Sequence, residues 1–365
     1  MRIAQLANFV GPTSGGMRRA VDQLGEGYVA RGHDRILIIP GPKTLVRDTP
    51  AGTVAQVRAP RVTGGYRLIV DLPRVLGLLR RFAPTSIEVS DKWTLTAAAR
   101  WARFRGVGSV LLSHERLDDM ASDFTRMPAR GPVHWRNSRL AKAFDRVVVT
   151  TAYSGGEWAH TTARLTTVPL GVDLGTFVPP QRPPQAVRRL RLVHVGRMSR
   201  EKYPQLAIET ALELDRRRLP VHLTMVGTGP HLGWLRELAG DGPISFVGYM
   251  DGRAEVAKAY GAAQIAMSVC PTETFGLAVL ESLACGTPVV TADRGGAREL
   301  VDSSCAEWGA PEPESLADAV ERLWRRVHDD QPTVRAAARA RAELYPWSAS
   351  VDTMLEVHAE VAGRG

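Results

Sequence analysis

Short apolar runs alternate with helix-length stretches twice along this chain, and that rhythm leaves few folds open. In the first half the runs Arg2–Ala7, Ile36–Ile39, Ser86–Val89, Ser109–Ser113 and Val147–Thr150 have strand character, with helical patterns at Met17–Arg31, Leu72–Phe82 and Leu95–Arg105 between them. In the second half the strand runs are Arg191–Val195, Val221–Val226, Ile244–Val247, Ile265–Val269 and Val289–Thr291. Their helical partners are Gln205–Arg217, a stretch starting at Gly276, and Pro313–Val327. Strands separated by helices pair in parallel through right-handed crossovers, giving sheets covered on both faces. The expected fold class is α/β, two Rossmann-like domains facing each other across a cleft.

A proline-rich break, Phe177-Val178-Pro179-Pro180-Gln181-Arg182-Pro183-Pro184-Gln185, reads as a stiff extended linker. It predicts an N-terminal domain over 1–178 and a C-terminal domain over 185–346, with the last helix, 347–365, crossing back onto the first. Chain length supports this, because 365 residues can enclose two cores. Ligands of open α/β sheets bind at the carboxyl ends of the strands, so the cleft is the expected site.

Composition narrows the surroundings. No apolar run approaches a membrane span, and the N-terminus reads as a first strand rather than a signal peptide. Cys270, Cys285 and Cys305 are odd in number and lack metal-binding spacing, which points to reduced thiols in a cytoplasmic protein. The charge is lopsided: residues 1–180 hold 25 basic and 14 acidic residues, while 181–365 hold 22 and 24. A basic first half suggests an anionic partner. No nucleic-acid signature accompanies it, so an anionic membrane face is the better candidate, through Arg74, Arg80, Arg81, Arg100, Arg103 and Arg105. A generally arginine-rich composition, or a solvated helix face, accounts for these residues equally well.

The segment Pro271-Thr272-Glu273-Thr274-Phe275-Gly276-Leu277-Ala278-Val279-Leu280-Glu281 carries the most chemical information. Leu277, Leu280, Leu283 and Ala284 share a helical face and Gly286 closes the helix. Glu273 then sits in the loop before the helix, and Glu281 two turns inside it. A sugar diphosphate suits such a place, with hydroxyls on the carboxylate and phosphate on the free amides of the helix start. Val195-Gly196-Arg197-Met198-Ser199-Arg200-Glu201-Lys202 follows the first strand of the second half. Arg197 and Lys202 there could neutralise a diphosphate, although an ordinary surface cluster of opposite charges explains them as well. Gly15-Gly16, after strand one, allows close backbone approach to a ligand, or merely a flexible turn. Gly227-Thr228-Gly229 begins like a dinucleotide fingerprint, but Leu232 holds the third glycine position and no acidic residue follows, so a tight turn suffices. There is no Asp-x-Asp triplet, no Walker A pattern and no Gly-x-Ser-x-Gly.

Taken together, these features resemble glycosyltransferase family 4, whose members have the two-domain GT-B fold. Gly15-Gly16, Val195-Gly196-Arg197 with Glu201-Lys202, Pro169-Leu170-Gly171-Val172-Asp173 and the spaced pair Glu273 and Glu281 occur in the family's order. Ala7-Asn8-Phe9-Val10-Gly11-Pro12, Glu88-Val89-Ser90-Asp91 and Ser113-His114-Glu115-Arg116-Leu117-Asp118 look like the mannosyltransferases that extend phosphatidylinositol mannosides. The resemblance implies that Arg197 and Lys202 bind the donor diphosphate, Glu273 the sugar hydroxyls, and Glu281 the ribose. Backbone groups of Phe275, Gly276 and Leu277 assist, Gly15 and Gly16 approach the phosphate, and His114 contacts the transferred sugar. Val247, Gly248 and Met250 border the base.

The resemblance further implies a retaining, metal-independent hexosyltransferase without a cofactor, using a nucleotide-sugar donor, GDP-mannose first. The acceptor would be a glycolipid at the inner membrane face. Two alternatives stand: a UDP-sugar-dependent relative acting on a soluble metabolite, natural product or polysaccharide, and a non-catalytic nucleotide-sugar-binding protein.

Overall fold

The computed structural model describes residues 1–8, 15–62, 66–118, 130–183 and 189–363. The chain divides into two compact units, Met1–Leu170 with Trp347–Gly365, and Gly171–Pro346.

The first unit holds β1 (Arg2–Leu6), β2 (Asp34–Gly41), β3 (Leu45–Thr49), β4 (Gly52–Arg58), β5 (Ser86–Val89), β6 (Gly108–Ser113), β7 (Arg146–Val149) and β8 (Leu165–Thr167). They form one sheet in the order β3-β4-β2-β1-β5-β6-β7-β8. All neighbours run parallel except β3, which pairs antiparallel with β4. The helices are α1 (Gly16–Ala30), α2 (Leu72–Phe82), α3 (Ala98–Phe104), α4 (Arg130–Ala143) and the short α5 (Ala152–Gly156). Central strands are buried on both faces, so Ile3, Ala4, Leu6, Ile87 and Val89 are inaccessible to solvent.

The expected helix Leu95–Arg105 begins differently. Residues Thr94–Ala97 form a tighter 3₁₀ turn and the α-helix starts at Ala98. Asp91 accepts a bond from the Trp93 amide at 2.8 Å, and the Thr96 hydroxyl donates to the Trp93 carbonyl at 2.6 Å. These side-chain bonds compete with the regular helical ladder at its entry.

The C-terminal helix, Trp347–Ala362, belongs to this first unit. A buried polar cluster fastens it. Glu88 accepts from Gln5 Nε2 at 2.9 Å and from the Tyr28 hydroxyl at 2.8 Å, and lies 3.1 Å from His358 Nε2. His358 Nδ1 lies 2.9 Å from Ser86 Oγ. Burial raises the Glu88 pKa, but His358, Gln5 and Tyr28 outweigh it and hold the carboxyl below its ordinary value.

The second unit holds β9 (Leu190–Val195), β10 (Val221–Val226), β11 (Ile244–Gly248), β12 (Ile265–Ser268), β13 (Val289–Ala292) and β14 (Ala306–Gly309), all parallel, in the order β11-β10-β9-β12-β13-β14. Its helices are α6 (Pro204–Arg216), α7 (Leu232–Ala239), α8 (Arg253–Ala262), α9 (Leu277–Ala284), α10 (Gly296–Glu299), α11 (Pro313–Asp329) and α12 (Gln331–Glu343). Leu192, Leu223, Met225, Ile265 and Val290 of the sheet pack with Ile208 and Ala211 of α6 and with Leu316, Val320 and Leu323 of α11. Strand order reverses between β9 and β12, the kind of seam where open α/β sheets bind ligands.

The division falls at Leu170, eight residues before the expected boundary at 178. Val172 donates its amide to the Tyr345 carbonyl at 2.9 Å and bridges Pro346. Phe177 is fully buried, stacks edge-on to Tyr260 and offers its carbonyl to Arg339 Nη1 at 2.8 Å. Pro179 and Pro180 lie against Gly286 and Gly261. Residues 171–180 are therefore packed into the second unit, not a free spacer. Pro184 and Gln185 lie outside the described residues.

Candidate active site

The loop after β9 is built to hold one shape. Its residues 200–202 form a 3₁₀ turn, and the Lys202 amide donates to the Ser199 carbonyl at 3.0 Å. Tyr203 ends the turn in a left-handed conformation, φ 49°, just before Pro204 opens α6. A non-glycine residue there costs about 1–3 kcal/mol, a strain that persists only where the surroundings impose it. The loop after β10 holds the start of this loop. Thr228 accepts from the Met198 amide at 3.0 Å, and Met198 accepts from the His231 amide at 3.0 Å. A side chain at Gly229 would place its Cβ 2.3 Å from the Met198 carbonyl oxygen, and one at Gly227 1.9 Å from that of Gly196. The Gly227-Thr228-Gly229 turn thus serves as a bed for the Gly196–Lys202 loop.

Lys202 reaches across to the loop after β12. Its ammonium donates to Glu273 at 2.8 and 3.1 Å. Its side chain is 40% exposed and that of Glu273 18%. Burial works against the ammonium, but Glu273, with the Cys270 sulfur and Glu201, outweighs it and holds Lys202 above its ordinary pKa. Cys270 Sγ also donates to the Glu201 carbonyl at 3.4 Å. Burial and the Glu273 charge push this thiol up to about 11, so it is inert packing at the site. Glu273 is braced from behind, since its carbonyl accepts from the Gly296 amide at 2.6 Å.

Helix α9 comes directly after. Gly276 is its N-cap at φ 105°, a conformation open to glycine, and no side chain caps the helix there. Its other end is covered: Arg335 donates to the Cys285 carbonyl at 3.0 Å and Arg339 to that of Ala284 at 3.0 Å. Two arginines neutralise the negative end of the dipole, while the positive end, just after Glu273, carries no side-chain cap among the described residues. That end offers amides and positive potential to an anion, next to a carboxylate suited to hydroxyls and a lysine suited to phosphate.

The other expected residues of this unit lie nearby or at its edge. Phe275 is buried and Leu277 is the first helical residue. Glu281 is the fifth residue of α9, one turn in rather than two, because the helix starts only at Leu277. It is 5% exposed, and with burial it helps push the Cys285 thiol up to about 12. Arg197 is half-buried in the same loop as Lys202. Val247 is exposed at the end of β11, Gly248 closes that strand, and Met250 comes two residues later. Gly248 accepts from the Gly227 amide at 2.8 Å, which ties this stretch to the glycine turn under the Gly196–Lys202 loop.

Gly15, Gly16 and His114 lie in the first unit. Gly15 caps α1 without a side-chain bond and Gly16 starts it, both exposed. Gly11–Ser14 of that loop lie outside the described residues. His114 comes just after β6, with Nδ1 3.3 Å from the Leu112 carbonyl and Nε2 3.8 Å from Glu115. Behind it is a support that sequence reasoning missed. Lys92, fully buried, pairs with Glu157 and donates to the Glu115 carbonyl at 2.7 Å, and Glu157 accepts from the Leu117 amide at 2.8 Å. Asn8 and Asp91 form a second buried support, with the Asn8 amide donating to Asp91 at 3.0 Å. The missed brace at Gly296 did carry a signal: Gly295-Gly296 comes after a strand end, just as Gly15-Gly16 does.

Comparison with known proteins agrees with this architecture. A family profile described as "Glycosyl transferase 4-like domain" matches residues 15–171, and one described as "Glycosyl transferases group 1" matches 189–326. The GDP-mannose-dependent alpha-(1-6)-phosphatidylinositol dimannoside mannosyltransferase of Mycobacterium tuberculosis strain H37Ra is 38% identical over 97% of this chain and 95% of its own length. A D-inositol 3-phosphate glycosyltransferase of Kineococcus radiotolerans is 34% identical over 60% of this chain and 58% of its own. Among solved structures, sucrose-phosphate synthase from Thermosynechococcus elongatus superposes with a TM-score of 0.80 at 20% identity, over 100% of both chains. Anabaena HepE, solved with UDP-glucose, gives 0.74 at 18% identity over 99% of this chain and 98% of its own. The chain belongs to the group 1, family 4 glycosyltransferases and has their GT-B fold.

Proposed function

We propose that this glycosyltransferase moves an α-mannosyl group from GDP-mannose to a phosphatidylinositol mannoside-type acceptor, with retention at the anomeric carbon. The observation that carries the reading is the 38% identity across nearly the whole length of an enzyme with that donor and lipid class. The Lys202–Glu273 pair at the start of α9, which no side chain of the described residues caps, is the matching chemistry in the second unit. Arg197, Lys202 and the helix amides draw the diphosphate away, and the C1–O bond breaks. The acceptor oxygen bonds to C1 on the same face, and its proton passes to the departing phosphate oxygen. No cofactor enters these steps; catalysis rests on positioning and leaving-group electrostatics.

The first unit, which carries His114, takes the acceptor in this reading. Its surface suits an anionic bilayer at the cytoplasmic membrane face. On α4, Trp135 is 63% exposed with Arg139 over its ring at 4.9 Å, and Arg136 lies over the exposed Trp93 at 5.5 Å. Arg103, one of the arginines expected on this surface, is exposed and donates to the carbonyls of Lys142 and Ala143 at the end of α4. No helix among the described residues is long and apolar enough to cross a membrane.

Incubating purified protein with GDP-mannose or UDP-glucose and phosphatidylinositol mannoside, with product anomer determined by NMR, tests the proposal. Transfer of mannose in the α configuration is expected. Turnover with UDP-glucose alone, or only with soluble acceptors, would replace it with the UDP-sugar alternative. Co-sedimentation with vesicles should require anionic lipid; equal binding to neutral vesicles would remove the electrostatic argument.

A further inference from the structure

The seam between β9 and β12 opens as it nears the site, and one side chain holds it open. The β9–β10 ladder runs on to Val195 and Val226, and the β12–β13 ladder to Ser268 and Thr291. The β9–β12 ladder pairs only Leu192 with Ile265 and Val193 with Ala266. One residue further, His194 sends Nδ1 to the Met267 carbonyl at 2.9 Å. A carbonyl only accepts, so Nδ1 carries the proton and the bond replaces the missing ladder bond across the widened gap. The ring is 5% exposed, and Nε2 has no hydrogen-bond partner among the described residues. That nitrogen lies 3.1 Å from where a side chain on Gly196 would begin, so the ring fills the space beneath the start of the diphosphate loop. Burial holds the imidazole below its ordinary pKa, against the effect of the Met267 bond, and so favours the neutral form this geometry needs.

From this wedge the two strands lead to the two halves of the site. Gly196 and Lys202 come after His194 on one side, and Cys270 and Glu273 after Met267 on the other. They meet again through Lys202 with Glu273 and Cys270 with Glu201. We infer that His194 is a positioning residue for the diphosphate: its Nδ1–H bond to Met267 fixes the width of the crevice in which Lys202 and Glu273 face each other. This rests on reading that crevice as a nucleoside-diphosphate site.

Two variants separate the bond from the bulk. His194→Phe keeps a ring and loses the donor; His194→Asn keeps a donor at the Nδ1 position. Affinities for GDP and UDP, with GMP and UMP as controls lacking the second phosphate, are measured by calorimetry alongside melting curves. His194→Phe should lose tenfold or more in affinity for the tighter diphosphate and less than twofold for its monophosphate. His194→Asn should stay within threefold of the parent for both. An unchanged diphosphate-to-monophosphate ratio in a folded His194→Phe overturns the inference, as does an equal loss in His194→Asn. If His194→Phe fails to fold while His194→Asn binds normally, the bond serves the core and the inference also falls. Lys202→Met, run in parallel, distinguishes the failures. If it too leaves diphosphate affinity unchanged, the donor-site reading itself is wrong; if it weakens it while the His194 variants do not, only the positioning role is lost.

Discussion

Replacing Lys202 with methionine keeps most of the stem and removes the charge together with its N–H donors, and the structure sets how the loss should divide. In the resting protein the ammonium bonds Glu273 at 2.8 and 3.1 Å, with side chains 40% and 18% exposed. A pair that wet contributes about 0.2–1 kcal/mol to stability, so unfolding should barely shift. With a diphosphate bound, the same ammonium makes a charge-assisted bond of about 1.5–3 kcal/mol. Because it must first leave Glu273, the net gain shrinks by at most about 1 kcal/mol. The expected loss of GDP affinity is therefore about 0.5–3 kcal/mol, or roughly 2- to 150-fold, most of it absent for GMP. A Glu273→Gln background removes the competing partner, so Lys202→Met should then cost GDP binding more, not less. Calorimetry with GDP and GMP gives the affinities, and a urea titration gives the stability. An unchanged GDP-to-GMP ratio with a stability loss above about 3 kcal/mol would refute the reasoning, because that is the signature of a buried structural pair.

Arg197→Ala should lower turnover with saturating donor by about 10²–10³-fold, as loss of one transition-state anion donor does, and near-normal turnover would remove Arg197 from the chemistry. Gly276→Ala forces a Cβ into φ 105° at 3.1 Å from Ala297 Cβ, so it should destabilise the second unit by about 1–3 kcal/mol; an unaltered melting profile would contradict the strained cap. Glu88 is held below its ordinary value of 4.5, so its contribution is complete above that pH and fades as pH falls through the lower folded value. Protease cleavage within Trp347–Ala362 should rise only below about pH 4.5, and Glu88→Gln should flatten that rise; a flat wild-type profile would count against the cluster as the fastener of the C-terminal helix.

The sequence was most readable where burial is symmetrical. Ser86–Val89 is covered on both faces and its run matches the structure end to end; Val221–Val226 matches as well, although His222 and Thr224 are only half-buried. The β3–β4 hairpin escaped notice because Leu45–Thr49 is an exposed edge strand, with no apolar alternation to betray it. Helix α12 escaped because Gln331–Glu343 relies on the intrinsic helicity of alanine and arginine more than on an apolar stripe. The site divides along the same line. Glu273 and Lys202 were legible because each lies in a loop that follows a strand whose type the pattern reveals, and topology alone brings those loops to one sheet edge. What pattern cannot express is contact between elements distant in sequence. Arg335 and Arg339 stand one helical turn apart, and only the packing of α12 on α9 turns that spacing into a cover for the negative end of α9. The polarity of the site therefore depends on residues more than fifty positions beyond the last recognisable motif residue, Glu281. Substituting them should weaken anion binding at an N-terminus they never touch.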